Sequence, residues 1–333
     1  MRYATILCLL SGLFLGCSGP ASPFAETRAN NALHKGQQHL AGDELDVALE
    51  EFQNAVELNP KLALAHSCIG GVYRLKGDYA AAARAFAEAV KLEPENFENA
   101  HALAQMYHKL VWYADAVRAY LHACDLDPHN FEARLNLGVC YHQAEELEAA
   151  IDCYTKAIEI DPTQSAPHIN LGAALHSRGQ YFEAIRAYNE ALELDPRQPM
   201  VLANLANTLL AQNRFPEARN SLRWALELDP DMALAHERLG YCHFRLRQYR
   251  EALDSYQRAV DLQPDLADAH TGLGVCRMAL YLQQPTDRDM RRLALEAWQR
   301  SLALKPHQPK IRNLSNKYKL SDVEKSTVLM DVP

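Results

Sequence analysis

The sequence has no long hydrophobic run. Its longest largely apolar stretch, residues 4–15, spans 12 residues. As an α-helix such a stretch reaches about 18 Å, whereas the hydrocarbon core of a bilayer is roughly 30 Å thick. We therefore expect this stretch not to cross a membrane.

The familiar motifs of catalysis are missing as well. The sequence contains no glycine-rich phosphate loop, zinc-protease histidine pair, paired Cys-x-x-Cys or nucleophile elbow. The fragments nearest to a metal site are His122-Ala123-Cys124, Cys140-Tyr141-His142 and Cys242-His243. None has the four-ligand spacing of a zinc site, so we interpret them as packing residues and predict neither metal nor cofactor. We expect the chain not to be an enzyme.

Positive charge is in deficit. The chain has 34 Lys and Arg residues against 42 Asp and Glu residues, for a formal net charge of −8. Nucleic-acid binding depends on a basic surface, and the aromatic residues of this chain do not lie among basic ones. The composition therefore predicts no nucleic-acid partner.

Proline, by contrast, is placed with strict regularity. Seven prolines follow one another at intervals of 34 residues: Pro60, Pro94, Pro128, Pro162, Pro196, Pro230 and Pro264. An eighth, Pro306, comes 8 residues late. A fixed period in this range is typical of a solenoid, in which similar units stack and each contacts only its neighbours.

Each unit is predicted to be a pair of antiparallel helices. Apolar positions recur at intervals of three and four, as one face of a helix requires. Small residues such as Gly70 and Ala82 let two helices approach closely, and turn signals at residues 76–78 and 178–180 separate the helices. The proline follows the second helix and ends it, because its nitrogen cannot donate the next backbone hydrogen bond.

The recurring positions match a known repeat. In the fourth unit they are Leu137-Gly138, Tyr141, Ala150, Tyr154, Ala157 and Pro162. This pattern resembles the tetratricopeptide repeat (TPR) family. The resemblance implies an all-α fold, namely a right-handed α-solenoid of about eight helix hairpins plus a C-terminal capping helix. The frequent early tryptophan of the family is replaced here by His66, His168, His236 and His270.

These patterns divide the chain into five segments. Residues 1–16 are predicted to be a lipoprotein signal peptide, 17–28 a tether, 29–308 the solenoid, 309–320 the capping helix and 321–333 a flexible tail. The last of the eight repeats carries an 8-residue insertion, which we interpret as a longer loop between its two helices. The alternative is a loop that makes a specific contact. Thr286 and Asp289 resemble a capping box that starts the second helix.

The predicted capping helix is basic. Its positive residues, together with Lys305 just before it, are Lys310, Arg312, Lys317 and Lys319. They indicate either a solvated face or a surface that binds anionic lipid or an acidic partner. The sequence leaves both open.

The N-terminus resembles that of a bacterial lipoprotein. Arg2 and the apolar residues that follow it are typical of an export signal, and residues 13–17, Leu-Phe-Leu-Gly-Cys, resemble the lipobox. The resemblance implies that Cys17 is lipidated. Because Ser18 follows rather than an aspartate, it further implies sorting to the outer membrane, with the chain facing the periplasm. The alternative is a hydrophobic N-terminus with an incidental cysteine.

Six further cysteines lie in the repeats. They are Cys68, Cys124, Cys140, Cys153, Cys242 and Cys276. Exported proteins usually pair their thiols or lack them, so this composition counts against a strongly oxidising compartment. Cys140 and Cys153 lie on facing helices of the fourth unit, and the sequence leaves open whether they form a disulfide.

In the repeat family, the first helix of each unit lines a concave groove. Asn136, Asn170 and Asn204 stand at the same groove position of three successive units, and Asn207 is assigned to the same surface. They resemble the asparagine ladder of the repeat domain in O-GlcNAc transferase, which holds the backbone of an extended peptide. An amide both donates and accepts hydrogen bonds, so it matches a peptide N–H and C=O. Alternatively, these residues simply face water.

A second file consists of His108, His142 and His176, which either makes binding sensitive to pH or is solvated. Further along we predict an apolar half-groove flanked by Arg238 and Arg245. Its members are Met200, Leu210, Leu234, Tyr241, Phe244, Val275 and Met278. Apolar anchors beside arginine are typical of a site for a peptide or a helix.

The sequence thus predicts a non-enzymatic protein-interaction scaffold, lipid-anchored in the cell envelope, that binds an extended peptide or helix of a protein partner in its groove. The plan resembles lipoproteins of type IV pilus assembly, in which an anchored solenoid assists placement of the secretin ring. Two alternatives stay open. One is an accessory subunit of an envelope polysaccharide or peptidoglycan enzyme complex, and the other is a cytoplasmic adaptor.

Overall fold

The computed structural model describes residues 23–319, which form eight helix pairs followed by one helix. We call the first helix of each pair its A helix and the second its B helix. The pairs are α1 (Pro23–Ala41) and α2 (Leu45–Leu58), α3 (Ala63–Leu75) and α4 (Tyr79–Leu92), α5 (Phe97–Lys109) and α6 (Tyr113–Leu126), α7 (Phe131–Gln143) and α8 (Leu147–Ile160), α9 (Ser165–Ser177) and α10 (Tyr181–Leu194), α11 (Pro199–Ala211) and α12 (Phe215–Leu228), α13 (Ala233–Arg245) and α14 (Tyr249–Leu262), and α15 (Ala267–Gln283) and α16 (Arg288–Leu304). The last helix is α17 (Pro309–Lys317). The predicted all-α fold of stacked hairpins is confirmed.

Backbone contacts divide the chain into two units. Unit 1 ends at Ala133 and unit 2 begins at Arg134, so the boundary falls near the start of α7. In unit 1 each helix from α1 to α6 contacts the next one along the chain, and in unit 2 the same holds from α8 to α17. This nearest-neighbour pattern is what a solenoid requires of each unit.

Each B helix ends just before a periodic proline. The residue at the helix end is extended, as in Asp161 with φ −140° and ψ 95° and Asp229 with φ −139° and ψ 96°. The ring of a proline disfavours the helical conformation of the residue before it. The proline period therefore sets where every B helix stops.

Each of the first seven A helices is followed, two residues after its last residue, by a residue with left-handed backbone. These residues are Asp43, Gly77, Val111, Glu145, Gly179, Asn213 and Arg247, with φ between 59° and 82°. After Gly77, the N–H of Asp78 donates to the carbonyl of Tyr73 at 3.0 Å, which satisfies a carbonyl at the helix end. The turns predicted at residues 76–78 and 178–180 are confirmed.

A glycine of the A helix lies against an aromatic ring of the B helix in most pairs. A Cβ atom built on Gly172 would lie 2.8 Å from the ring of Tyr188, and one on Gly240 would lie 2.8 Å from the ring of Tyr256. No Cβ fits at such distances, so the two helices approach this closely because the side chain is absent. The predicted packing of small residues against aromatics is confirmed.

The insertion in the eighth pair lengthens its helices. Helices α15 and α16 have 17 residues each, against 13 in α13 and 14 in α14. The predicted longer loop is wrong, because apolar residues continue at helical spacing through Leu280 and the helix stops only before Pro285. The predicted cap at Thr286 is also wrong. The N-cap is Asp287, whose side chain accepts from the N–H of Met290 at 3.2 Å.

The two ends of the described chain differ from the predicted boundaries. Helix α1 begins at Pro23, so residues 23–28, assigned to the tether, are helical. A proline suits the first position of a helix because its missing N–H would have had no partner there. Helix α17 covers the eighth pair, where Ile311 is buried and Leu314 packs against the cluster around Trp298. The signal peptide, Cys17 and the tail lie outside the described residues.

Candidate functional site

The A helices of unit 2 lie side by side. Helix α9 contacts α11, α11 contacts α13, and α13 contacts α15. Helix α7 joins them because Leu135 and Val139 pack in one cluster with Leu171 of α9. Residues at equal positions of successive A helices therefore form files across one surface. We call this surface the A-helix face of unit 2, defined by Asn136, Asn170, Asn204, Asn207, Arg238 and Tyr241.

The asparagine file lies at the sixth position of three A helices. Asn136, Asn170 and Asn204 are each half-buried. Their side-chain amides have no hydrogen-bond partner among residues 23–319, and the same is true of Asn207. These amides are therefore available to donate to and accept from a bound molecule.

Arg238 of α13 follows next in the same file. Burial lowers the pKa of His176, and the positive charge of Arg238 lowers this pKa further. Burial raises the pKa of the neighbouring Glu237 carboxyl, and Arg238 opposes that rise. The charge of Arg238 therefore acts on both His176 and Glu237. The asparagine file borders this cation.

The predicted histidine file is divided between the units. His108 belongs to unit 1, whereas His142 and His176 belong to unit 2. Burial lowers the pKa of all three rings, and the charge of Lys109 adds to the effect at His108. Burial therefore disfavours the protonated form of all three rings.

His176 is further held by a hydrogen-bond chain. The hydroxyl of Thr208 donates to the backbone carbonyl of Asn204 at 2.9 Å, and its oxygen lies 2.9 Å from Nδ1 of His176. Because that hydroxyl proton is already used, the oxygen accepts from Nδ1–H of the ring. The chain of hydrogen bonds links α9 to α11.

An arginine stacked on aromatic rings borders the face. The guanidinium of Arg245 lies 4.2 Å from the ring centroid of Phe215 and 5.6 Å from that of Tyr241. It also donates to the hydroxyl of Tyr241 at 2.6 Å. Such stacking fixes the direction of the arginine while leaving it exposed. The nearby Phe244 packs against Tyr249 at 5.8 Å between ring centroids.

The members of the predicted apolar half-groove differ in how far they are exposed. Met200 and Leu234 are exposed on α11 and α13. Met278, however, is buried in the cluster around Trp298, and Val275 packs against the same cluster. The assignment of Met278 to the groove is wrong, because the eighth pair buries its side chain. Leu210 likewise packs against the core of unit 2.

Sequence reasoning missed three residues that shape these surfaces. Thr208 is fully buried. The sequence feature that could have identified it is a polar residue on an otherwise apolar helix face. Phe215 stands at the first position of its B helix, where tyrosine is common in the other pairs. In unit 1, Nε2 of His101 is buried with no hydrogen-bond partner among the described residues, and its ring stacks on Phe97 at 5.3 Å. No pattern in the sequence singled out His101.

The histidines that replace the family tryptophan have a structural role. Nε2 of His66 lies 3.0 Å from the carbonyl oxygen of Pro60, and His236 and His270 make the same contact with Pro230 and Pro264 at 2.9 Å. Each ring thereby ties the start of an A helix to the turn before it. His168 contacts Glu190 instead, at 3.2 Å.

No disulfide joins the six cysteines of the repeats, all of which lie within residues 23–319. Burial raises the pKa of Cys140, Cys242 and Cys276 to about 12, so these thiols are unreactive near neutral pH. Between residues 23 and 319, no three His, Cys, Asp or Glu side chains are grouped so that they would hold a metal ion. No helix in that range has both the length and the apolar character needed to cross a bilayer.

Solved structures share this fold. The C-terminal part of a TPR protein from Cytophaga hutchinsonii is 18% identical, with a TM-score of 0.60 over 73% of this chain and 97% of that one. A TPR protein from Parabacteroides merdae is 16% identical, with a TM-score of 0.53 over 75% and 99%. YrrB, described as a TPR protein with an unusual peptide-binding site, is 22% identical, with a TM-score of 0.51 over 60% and 99%. At these identities the likeness shows the fold alone.

No curated protein matches significantly. The profile of a TPR family, described as the Cilia and flagella-associated protein 70 C-terminal domain, matches residues 24–278 and so covers most of the helix pairs. The chain is a TPR protein and belongs to the family of the Cilia and flagella-associated protein 70 C-terminal domain.

Proposed function

We propose that this chain is a non-enzymatic scaffold that holds an extended peptide segment of a protein partner on the A-helix face of unit 2. The observation that carries this proposal is the asparagine file. Three half-buried amides recur at one position of successive A helices, and none has a partner among the described residues.

The chemistry of these amides favours a peptide backbone as the ligand. A backbone offers N–H and C=O groups at regular intervals, whatever its side chains are. Each amide of Asn136, Asn170 and Asn204 can satisfy one group of each kind. A row of amides therefore selects an extended chain rather than a single side chain.

Neighbouring groups would set the sequence preference. Arg238 offers a positive charge beside the amides, so an acidic side chain of the peptide is favoured there. Met200 is 63% exposed and Leu234 is 52% exposed, so each can bury further apolar surface on binding. We infer a partner segment that combines acidic and apolar residues.

The fold is compatible with such a role. YrrB, whose description names a peptide-binding site, shares the fold at a TM-score of 0.51. The buried thiols and the lack of a metal-holding group within residues 23–319 offer no chemistry for turnover. These observations support a binding role.

Binding can be tested with an array of extended acidic peptides and the triple variant Asn136→Ala, Asn170→Ala, Asn204→Ala. Each lost hydrogen bond is worth about 1 kcal/mol, so affinity should fall about a hundredfold while the melting temperature stays nearly unchanged. Asn189→Ala, an exposed asparagine of α10, is the matched control and should bind like wild type. Loss of helical content in the triple variant would show that the asparagines are structural and would refute the proposal.

A second test identifies the class of ligand. A photo-crosslinker in place of Asn170 should capture peptide in cells. Capture of lipid or glycan alone would contradict the peptide hypothesis and favour a role beside an envelope polysaccharide enzyme.

We also propose that Cys17 carries a lipid that anchors the chain to the outer membrane, facing the periplasm. The support is the resemblance of residues 13–17 to the lipobox. A scaffold at this place would serve assembly of an envelope complex such as a type IV pilus or its secretin. Palmitate labelling should be present in wild type and absent in Cys17→Ala. Unlabelled wild-type protein would exclude the anchor and favour a cytoplasmic adaptor.

A further inference from the structure

A cleft lies beside the insertion of the eighth pair. Its volume is about 520 Å³, and it is bounded by the turn before α14 and by the ends of α15 and α16 that face this turn. Helices α15 and α16 are each about one turn longer than their counterparts α13 and α14. The extra turns form one wall of the cleft, so the insertion creates it.

The half-buried part of the cleft lining, which we call its floor, includes three side chains with large apolar surface. Tyr249, Leu280 and Met290 line it and are half-buried. Gln283 and Gln284 stand at the rim and are exposed. An apolar segment that entered the cleft would therefore remove apolar surface from water.

Two arginines of the rim are available for pairing. Arg247 and Arg250 are exposed, and neither forms an ion pair with another described residue. At earlier turns the arginines are paired, as in Arg178 with Glu148 at 3.1 Å. The seventh turn thus presents positive charge that its own neighbours do not neutralise.

Two acidic residues also line the rim. The carboxylate of Asp287 already accepts from the N–H of Met290, which engages its charge at the start of α16. Glu251 lies in the first turn of α14, where the helix dipole stabilises a carboxylate. Neither of these two described residues forms an ion pair with Arg247 or Arg250.

The described chain ends next to the helix that forms the wall. Nε of Arg291 donates to the carbonyl of Tyr318 at 3.1 Å, and a terminal nitrogen of the same guanidinium donates to the carbonyl of Lys319 at 3.1 Å. Arg291 directly follows Met290 of the cleft floor. Residues 320–333 therefore start beside the first turn of α16, and 14 residues can extend up to about 45 Å.

The composition of residues 320–333 matches the cleft. Asp322, Glu324 and Asp331 carry negative charge against one Lys325. Residues 328–330, Val-Leu-Met, form an apolar run directly before Asp331. We propose that residues 320–333 dock into this cleft of their own chain, with residues 328–330 on its floor and the acidic side chains on Arg247 and Arg250. The insertion thus provides a built-in site for the C-terminal segment, distinct from the A-helix face.

The test uses the full chain with benzoylphenylalanine in place of Leu329. Irradiation should crosslink position 329 to residues 247–251 or 280–290 of the same molecule, with a yield that does not change on dilution. Arg247→Glu with Arg250→Glu should lower that yield about fivefold, as expected for the loss of two exposed ion pairs. Glutamate is tolerated at this turn position, because Glu145 has the same left-handed backbone with φ 62°.

Two further variants make the test specific. Arg84→Glu with Arg223→Glu reverses two exposed arginines that do not line the cleft and should leave the yield unchanged. Asp322→Lys with Asp331→Lys alters the tail alone and should lower the yield as the cleft variant does. Crosslinks to another region, crosslinks to a second molecule, or a yield that the cleft variant does not change would each overturn the proposal.

Discussion

In the seventh helix pair, Gly240 of α13 lies against Tyr256 of α14, and in the eighth, Gly274 of α15 lies against Trp298 of α16. The two contact residues are 16 positions apart in the seventh pair and 24 in the eighth. The 8 inserted residues therefore fall wholly between the contact positions. Both pairs keep the same close approach of a glycine and an aromatic ring.

The pairs differ at the turn. In the seventh pair, α13 ends through Arg247 with left-handed backbone at φ 60°. In the eighth, α15 runs on to Gln283 and ends at an extended Gln284 with φ −135° before Pro285. The comparison shows that such a pair can grow at its turn while its packing contact stays fixed. Added helix turns satisfy their own backbone hydrogen bonds, which a long loop would not.

The largest expected effect concerns the aromatic residues at the contact. Trp298 is 1% exposed and Tyr256 is 4% exposed, so Trp298→Ala and Tyr256→Ala should each lower the free energy of unfolding by about 3–5 kcal/mol in chemical denaturation. Trp224, which is 43% exposed, is the control, and its alanine variant should lose less than half as much. A small loss for Trp298→Ala beside a large one for Tyr256→Ala would mean that the two pairs are not packed alike.

The glycines opposite these rings come next. A Cβ on Gly240 would lie 2.8 Å from Tyr256, and one on Gly274 would lie 2.3 Å from Trp298. Overpacking should lower the free energy of unfolding by about 1–3 kcal/mol in Gly240→Ala and Gly274→Ala. At Gly71 a Cβ would meet nothing within 4 Å, so Gly71→Ala should instead raise it by up to about 1 kcal/mol. Equal changes in the free energy of unfolding at all three glycines would contradict the close contacts of Gly240 and Gly274 with the aromatic rings.

The start of α16 gives a smaller effect that separates two assignments. Asp287→Ala removes the side chain that accepts from the N–H of Met290, so the free energy of unfolding should fall by about 1 kcal/mol. Thr286→Ala should change it by less than about 0.5 kcal/mol. Thermal or chemical denaturation measures both losses. A larger loss for Thr286→Ala than for Asp287→Ala would show that Thr286 is the N-cap, as the sequence alone indicated.

The smallest effect concerns the turn conformation. Arg247→Gly should raise the free energy of unfolding by up to about 1 kcal/mol, because glycine adopts a positive φ without the steric cost of a side chain. Gln284→Gly should lower it by about 0.5 kcal/mol, because Gln284 is extended and glycine adds freedom to the unfolded chain. A higher free energy of unfolding in both variants would show that the two turns have the same backbone conformation.

The features that could be predicted are governed by short-range sterics. A proline restricts the residue before it, and a small residue opposite an aromatic ring sets how closely two helices approach. Both effects act within one helix pair and recur every 34 residues. The structural role of Pro162 or Gly138 is therefore the same as that of the corresponding residue in other pairs. The asparagine file was found for the same reason, since equal offsets lie on one face of the A helices.

The features that were missed depend on neighbours in other pairs. Met278 was assigned to the groove by counting offsets, but the longer α16 brings Leu295 and Trp298 over it. Thr208 becomes a partner of His176 across 32 residues, and Phe215 stacks under Arg245 from another pair. Offsets within one repeat cannot reveal such contacts when the adjacent pair changes in length or composition.

The sequence by itself determined that the chain forms hairpins of helices, where each B helix ends and which glycines meet aromatic rings. These outcomes follow from backbone restrictions that act over a few residues, and 34-residue repetition makes them unambiguous. Tertiary structure decided how the 8 extra residues are used, which apolar side chains of the A helices stay exposed, and that Arg247 and Arg250 border a cleft. Burial and pairing depend on what the adjacent helix pair places against each side chain, and only the folded stack contains that information.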